Sequence, residues 1–138
     1  MSTTNPTMSS PSMIETSMTN ALGRFLDVDV ARYKLVTTNL ANIDTPGYRT
    51  RDLDFRSELR RAAAEESSLE IGHINSASFE PVAHPVRGLM ERPDGNNVSV
   101  ERESLLMAQN QLRFQVAVQF LREQFRLLST AINEGKTS

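Results

Sequence analysis

The chain has 138 residues, a formal charge of -2 and no cysteine. The missing cysteine excludes disulfides, thiol catalysis and thiolate metal sites, and the charge gives a general nucleic-acid role no electrostatic support. Apolar residues make up 38% of the chain and Trp is absent; roughly 45–50% apolar is usual for a compact globule, so a small core completed by partner chains is expected.

Residues 1–17 are rich in Ser, Thr, Pro and Met. They bury too little to order themselves and read as a flexible tail. With no basic start and no apolar stretch, they do not read as a cleaved secretory signal. No apolar run approaches the ~18–20 residues that span a bilayer.

From residue 18 to residue 43 the pattern is helical. Leu22, Leu26, Tyr33, Val36, Leu40 and Ile43 recur at spacings of 3, 4 or 7 and share one stripe. Asp29 falls near the gap in that stripe, beside Val30. The helix then meets Pro46-Gly47. Proline disfavours αR in the residue before it, here Thr45, and Gly47 suits the third position of a type II turn. The segment 18–47 is therefore read as one helix and its closing turn.

Residues 48–97 are mixed. Glu58 to Glu66 predict a short helix, and the Pro- and Gly-rich remainder predicts loop with short strands. Asp94-Gly95 is a turn signal. Arg56 to Arg61, followed by Glu65 and Glu66, read as a solvated mixed-charge face or as inter-subunit ion pairs.

From residue 99 to residue 133 nothing breaks a helix, and residues 98–138 form the last unit. Ser99 is the expected N-cap, with Glu101 and Glu103 at the positive end of the helix dipole. Met107, Phe114, Val118, Leu121, Phe125, Leu128 and Ile132 are spaced 7, 4, 3, 4, 3 and 4, a coiled-coil seam. A second line, Leu105, Leu112, Val116, Phe120 and Leu127, widens the apolar face. Two lines imply cover from more than one side. The fold expected is mainly α, with long N- and C-terminal helices paired as an antiparallel coiled coil around an irregular middle.

Asn39 and Asn42 interrupt the end of the first helix. Asn commonly closes a last turn, which suits Asn42. Asn39 lies closer to the apolar stripe, where an amide can also set register. Glu70 and His73 form one Glu-x-x-His, but a di-iron bundle needs two such pairs and more carboxylates, so no metal is expected. Asn97-Val98-Ser99 matches a glycosylation sequon but coincides with the expected cap, which is the reading taken. No catalytic residue, cofactor or small-molecule substrate is indicated.

The run Leu35-Val36-Thr37-Thr38-Asn39-Leu40-Ala41-Asn42-Ile43-Asp44-Thr45-Pro46-Gly47-Tyr48 resembles the N-terminal signature of bacterial flagellar rod and hook proteins. Gly95-Asn96-Asn97-Val98, then Glu101, Glu103 and Gln109 to Phe114, resemble the element leading into that family's terminal helix. The chain is most similar to the small proximal-rod members, through Arg51-Asp52-Leu53-Asp54-Phe55 and Leu59. The resemblance implies a non-enzymatic rod subunit that transmits torque, exported without signal cleavage and assembled in the periplasmic space. It also implies partners: other copies of the chain, other rod proteins, the rod-base adaptor and the export gate. Asn39, Leu40, Ala41, Asn42, Thr45, Pro46, Gly47 and Tyr48 would form the assembly motif, and Asn39 would set register between subunits. The alternative is a soluble coiled-coil adaptor or export chaperone.

Overall fold

The computed structural model describes residues 11–69 and 80–136, with side chains described from residue 17 to residue 64 and from residue 80 to residue 136. Glu70 and His73 lie outside the described residues. Three helices dominate: α1 (Pro11–Ala41), α2 (Phe55–Leu69) and α3 (Val100–Gly135). Two short strands, β1 (Arg51–Asp52) and β2 (His84–Pro85), pair antiparallel, Arg51 opposite Pro85 and Asp52 opposite His84. No described helix is long and apolar enough to cross a membrane.

Helix α1 begins at Pro11 rather than at Met18, so residues 11–17 belong to the helix and not to the tail. Proline fits a first helical turn, where its missing N–H would have no partner anyway. Helix α2 is longer than Glu58 to Glu66 because Asp54 caps it. The Asp54 Oδ1 accepts from the Arg56 and Ser57 amides at 3.1 and 3.2 Å. Ser99 caps α3 as its sequence implies, its Oγ accepting from the Arg102 amide at 3.2 Å.

Helices α1 and α3 run antiparallel side by side. Asn39 of α1 bonds Glu103 of α3, and Asp29 meets Asn110, so falling numbers on one helix match rising numbers on the other. The buried residues of α3 are Glu103, Asn110 and Ala117, each seven apart. This line faces α1. The apolar seam read from sequence does not. Met107, Val118 and Leu121 are half-buried, while Phe114, Phe125, Leu128 and Ile132 are exposed. In a 3.5-residue repeat, residues four on from the facing line sit roughly 50° round the helix and residues eight on roughly 100°. The seam is thus a flank. On α1, Val36 is buried, Leu22, Leu26, Leu40 and Ile43 are half-buried, and Tyr33 is exposed.

The apolar core is small: Val28, Val36, Leu53, Ala62 and Ala117 are its buried members. Beside it Phe25 and Phe55 meet edge to face at 5.2 Å, and the Arg113 guanidinium lies 4.7 Å over the Phe55 ring. Both contacts tie α2 to the long pair.

Ser99→Ala removes the α3 cap and should lower the unfolding free energy by about 1 kcal/mol, whereas Ser99→Asp should hold it. Urea unfolding followed by circular dichroism checks both.

Candidate functional site: a polar latch at the joined helix ends

The signature segment folds over the C-terminal end of α1 and locks it to the start of α3. Asn42 closes the helix: its Nδ2 donates to the Thr38 carbonyl at 2.8 Å, and its Oδ1 accepts from the Thr45 hydroxyl at 3.1 Å. Pro46 and Gly47 then form the central pair of a turn closed by the Tyr48 amide on the Thr45 carbonyl at 3.2 Å. Gly47 has φ 72, the left-handed value that a type II turn requires there.

A second turn meets the first. Around Pro93 and Asp94 the Gly95 amide donates to the Arg92 carbonyl at 2.8 Å, and the Arg92 amide to the Asn96 carbonyl at 2.8 Å. Gly95 has φ 82, and a Cβ there would sit 3.4 Å from the Gly47 Cα. The Gly47 amide donates to the Asp94 carbonyl at 2.8 Å. Two left-handed glycines therefore touch back to back.

Asparagines do the rest. Asn96, fully buried, lends its Nδ2 to the carbonyls of Asn42, Ile43 and Thr45 at 2.9, 3.0 and 2.9 Å. These carbonyls belong to the turns just beyond the end of α1, and those of Asn42 and Thr45 also accept from the Thr45 and Tyr48 amides. Asn96 Oδ1 accepts from the Val98 amide at 2.8 Å. Asn97 Oδ1 accepts from the buried Thr50 amide at 2.7 Å. Arg92 also donates to the Ile43 carbonyl.

Asn39 is the hub. Its Nδ2 donates to the Arg51 carbonyl at 2.8 Å and to Glu103 Oε2 at 2.9 Å. Its Oδ1 accepts from the Tyr48 hydroxyl at 3.0 Å and the Arg51 amide at 3.1 Å. An amide has two donor hydrogens and two acceptor lone pairs, so Asn39 is saturated inside its own chain. It does not set register between subunits: every bond it can make goes to an intrachain partner. Burial pushes the Tyr48 phenol up.

An ionic chain continues the latch. Glu103, fully buried, accepts from Arg102 at 2.5 Å. Arg102 also reaches Asp52 at 2.6 Å, and Asp52 takes Arg32 in a two-pronged pair at 3.0 and 2.9 Å. Burial alone would raise the Asp52 carboxyl, but Arg32, the Leu53 amide and Arg102 outweigh it and hold it below the usual carboxylate range. Asp29, further along α1, behaves oppositely: burial raises its carboxyl to about 6 against the pull of Arg113 and Arg32. The expected mixed-charge pairs near residues 56–61 include Arg61 with Glu58 at 2.6 Å. Glu58 also accepts from the Val82 amide at 3.2 Å, an intrachain role.

The latch joins five of the eight assembly-motif positions, Asn39, Asn42, Thr45, Gly47 and Tyr48, to residues 94–103, the element that the resemblance placed before the terminal helix. Asn96, Asn97, Thr50, Asp52, Arg102 and Glu103 were missed as site residues. The signal for Glu103 was its seven-residue spacing to Asn110 and Ala117, a polar-to-small line overshadowed by the apolar flank. Among the described residues no three His, Cys, Asp or Glu side chains group as a metal site.

No family model matches the chain. The flagellar basal body rod protein FlgB of Salmonella typhimurium is 30% identical over 122 residues, covering 80% of this chain and 88% of the relative. The chain belongs to the FlgB family of flagellar basal body rod proteins. FlgB of Bacillus subtilis is 30% identical over 126 residues, with 87% and 93% covered. FlgB of Cereibacter sphaeroides is 35% identical over 106 residues, with 73% and 82% covered. For this FlgB-family chain the signature segment is a folding element as well as a family mark.

Asn39→Leu should cost about 3 kcal/mol or more, because it leaves the buried Glu103 Oε2 and two backbone groups of Arg51 without their Asn39 partner. Chemical denaturation of the purified chain measures it. Asp52 and Asp29 should give opposite pH signatures. The Asp52 carboxyl is lowered on folding, so its contribution is present above ~3.9 and is lost as pH falls through its folded value. Asp52→Asn should therefore destabilise the chain at pH 7 and converge on the parent in strong acid. The Asp29 carboxyl is raised on folding, so stability is full below ~3.9 and is lost as pH climbs towards 6. Asp29→Asn should stabilise by about 1–2 kcal/mol at pH 7 and leave pH 3.5 unchanged. Unfolding curves across pH read both.

Proposed function

We propose that this chain is a structural subunit of the proximal flagellar rod, built into a hollow shaft that carries torque. The observation that carries the proposal is the pair of apolar flanks on α3. Leu112, Val116 and Phe120 are exposed on one side, and Phe114, Phe125 and Ile132 on the other. Contiguous exposed apolar surface of this kind marks an interaction site. Helix α1 occupies the polar line between the flanks, so both stay free for neighbouring subunits. Membership of a family of basal body rod proteins supplies the assembly in which such neighbours exist.

On this reading the role is structural and not catalytic. The partners are copies of the chain, other rod proteins, the adaptor at the rod base and, in transit, the export gate. The site of assembly is the periplasmic space, reached without cleavage of a signal. A soluble coiled-coil adaptor would instead form a small closed dimer in dilute solution.

Phe125→Asp tests the flank. Phe125 is 59% exposed, so the substitution should leave the purified chain's unfolding midpoint within about 0.5 kcal/mol of the parent. In a strain lacking its own copy it should abolish incorporation into basal bodies, since a buried unpaired charge is costly. Normal motility with Phe125→Asp would remove the flank from the interface. In the free chain, hydrogen exchange should be slowest around the latch and fastest at the opposite ends of α1 and α3.

A further inference from the structure

Asp29 lies on the line of α1 that faces α3. It is wholly buried, yet neither carboxylate oxygen has a hydrogen-bond partner. Across from it, Asn110 donates its amide N–H to the Asp29 carbonyl at 2.9 Å and leaves its own Oδ1 without a partner. Three acceptor atoms on two facing helices are thus left without a hydrogen-bond partner. Buried polar atoms in this state are rare and call for an explanation.

Two guanidiniums are close enough to be felt, Arg113 from α3 and Arg32 from α1. Neither touches the carboxylate. Arg32 is held by Asp52 through two bonds, and Arg113 lies over Phe55 at 4.7 Å. Asp29 and Asn110 also line a crevice of ≈ 380 Å³ between α1 and α3, together with Val30, Tyr33, Met107, Gln111 and Phe114. Val30, Tyr33 and Phe114 are exposed, so the crevice opens outward on the flank already assigned to subunit contacts.

We propose that this crevice is a socket for a lysine or arginine side chain of a neighbouring rod subunit. The inference rests on the rod reading above. The match is in two parts. An aliphatic stem suits the apolar wall, and the Tyr33 and Phe114 rings can flank a cation. The cationic head supplies the donors that Asp29 and the Asn110 Oδ1 lack. An apolar side chain would seal those acceptors in without partners, and an acidic one would be repelled. Charge complementarity therefore selects the occupant. Arg113 is the rival: its Nη1 is also without a partner, and a swing away from Phe55 would close a pair within the chain.

The test uses the full-length chain with butylguanidinium and butylammonium as side-chain analogues, read by NMR at pH 7 through the Asp29 carboxyl carbon and the Tyr33, Asn110 and Phe114 signals. Saturable shifts confined to these residues are expected, with affinity falling ~10-fold or more in Asp29→Asn. In cells lacking their own copy, Asp29→Asn should fold and be exported, yet its recovery in basal bodies should fall ~10-fold or more. Two results overturn the socket. One is no saturable shift, together with an Asp29 carboxyl titrating below the usual range, as closure onto Arg113 requires. The other is incorporation of Asp29→Asn or Asp29→Leu at the parental level. Failure of the parental chain itself to enter basal bodies would overturn the rod reading instead, and the analogue titration would still report on the crevice.

Discussion

The structure depends on one saturated amide. Asn39 reaches Glu103 on α3, both backbone groups of Arg51 and the Tyr48 hydroxyl, from a position that is almost wholly buried. With all its hydrogen-bonding capacity used, it fixes how far α1 runs before the chain turns and where α3 starts beside it. Register between two long helices is otherwise weakly set, because one turn of slippage trades similar apolar contacts for similar ones. A polar hub with a single matching arrangement removes that freedom. The paired turns at Gly47 and Gly95 and the three carbonyl caps from Asn96 hold the hub's surroundings in place.

That choice shapes everything along the helix pair. The line along which α1 and α3 meet contains Asp29, Arg32 and Asn39 on one side and Glu103, Asn110 and Arg113 on the other. Val28 and Val36 of α1 and Ala117 of α3 are buried as well, while the large apolar side chains of α3 lie on the flanks. A self-contained coiled coil would do the reverse, placing its apolar line between the helices. Among the described residues the buried apolar set is five, and large exposed apolar side chains outnumber it. The chain is thus polar where it closes on itself and apolar where it faces outward, the arrangement suited to a subunit whose stability is completed by assembly.

Asp52 and Asp29 show the division between folding and function. Asp52, half-buried, is fully engaged by Arg32, Arg102 and a backbone amide, and it supports the fold. Asp29 is wholly buried but unengaged, and its raised carboxyl marks a local cost in the isolated chain. A group that weakens the monomer is retained more readily where it serves contact than where it serves folding. The geometry around Asn110 and the open crevice gives it a partner to wait for.

Much of this was legible in the sequence. The long terminal helices, the Ser99 cap, the Pro46-Gly47 turn and the role of Asn42 follow from local rules of capping and steric restriction, which act within four or five residues. The small core followed from composition. What sequence did not decide was which face of each helix met the other. Periodicity locates an apolar stripe but does not say what covers it, and the strongest stripe on α3 proved to be a flank. Nor did it reveal that Asn39 is satisfied by residues twelve and sixty-four positions away. Those bonds exist only once two turns bring distant segments together. Hydrogen-bond partners of buried polar groups are decided by three-dimensional closeness, and only the tertiary structure supplies it.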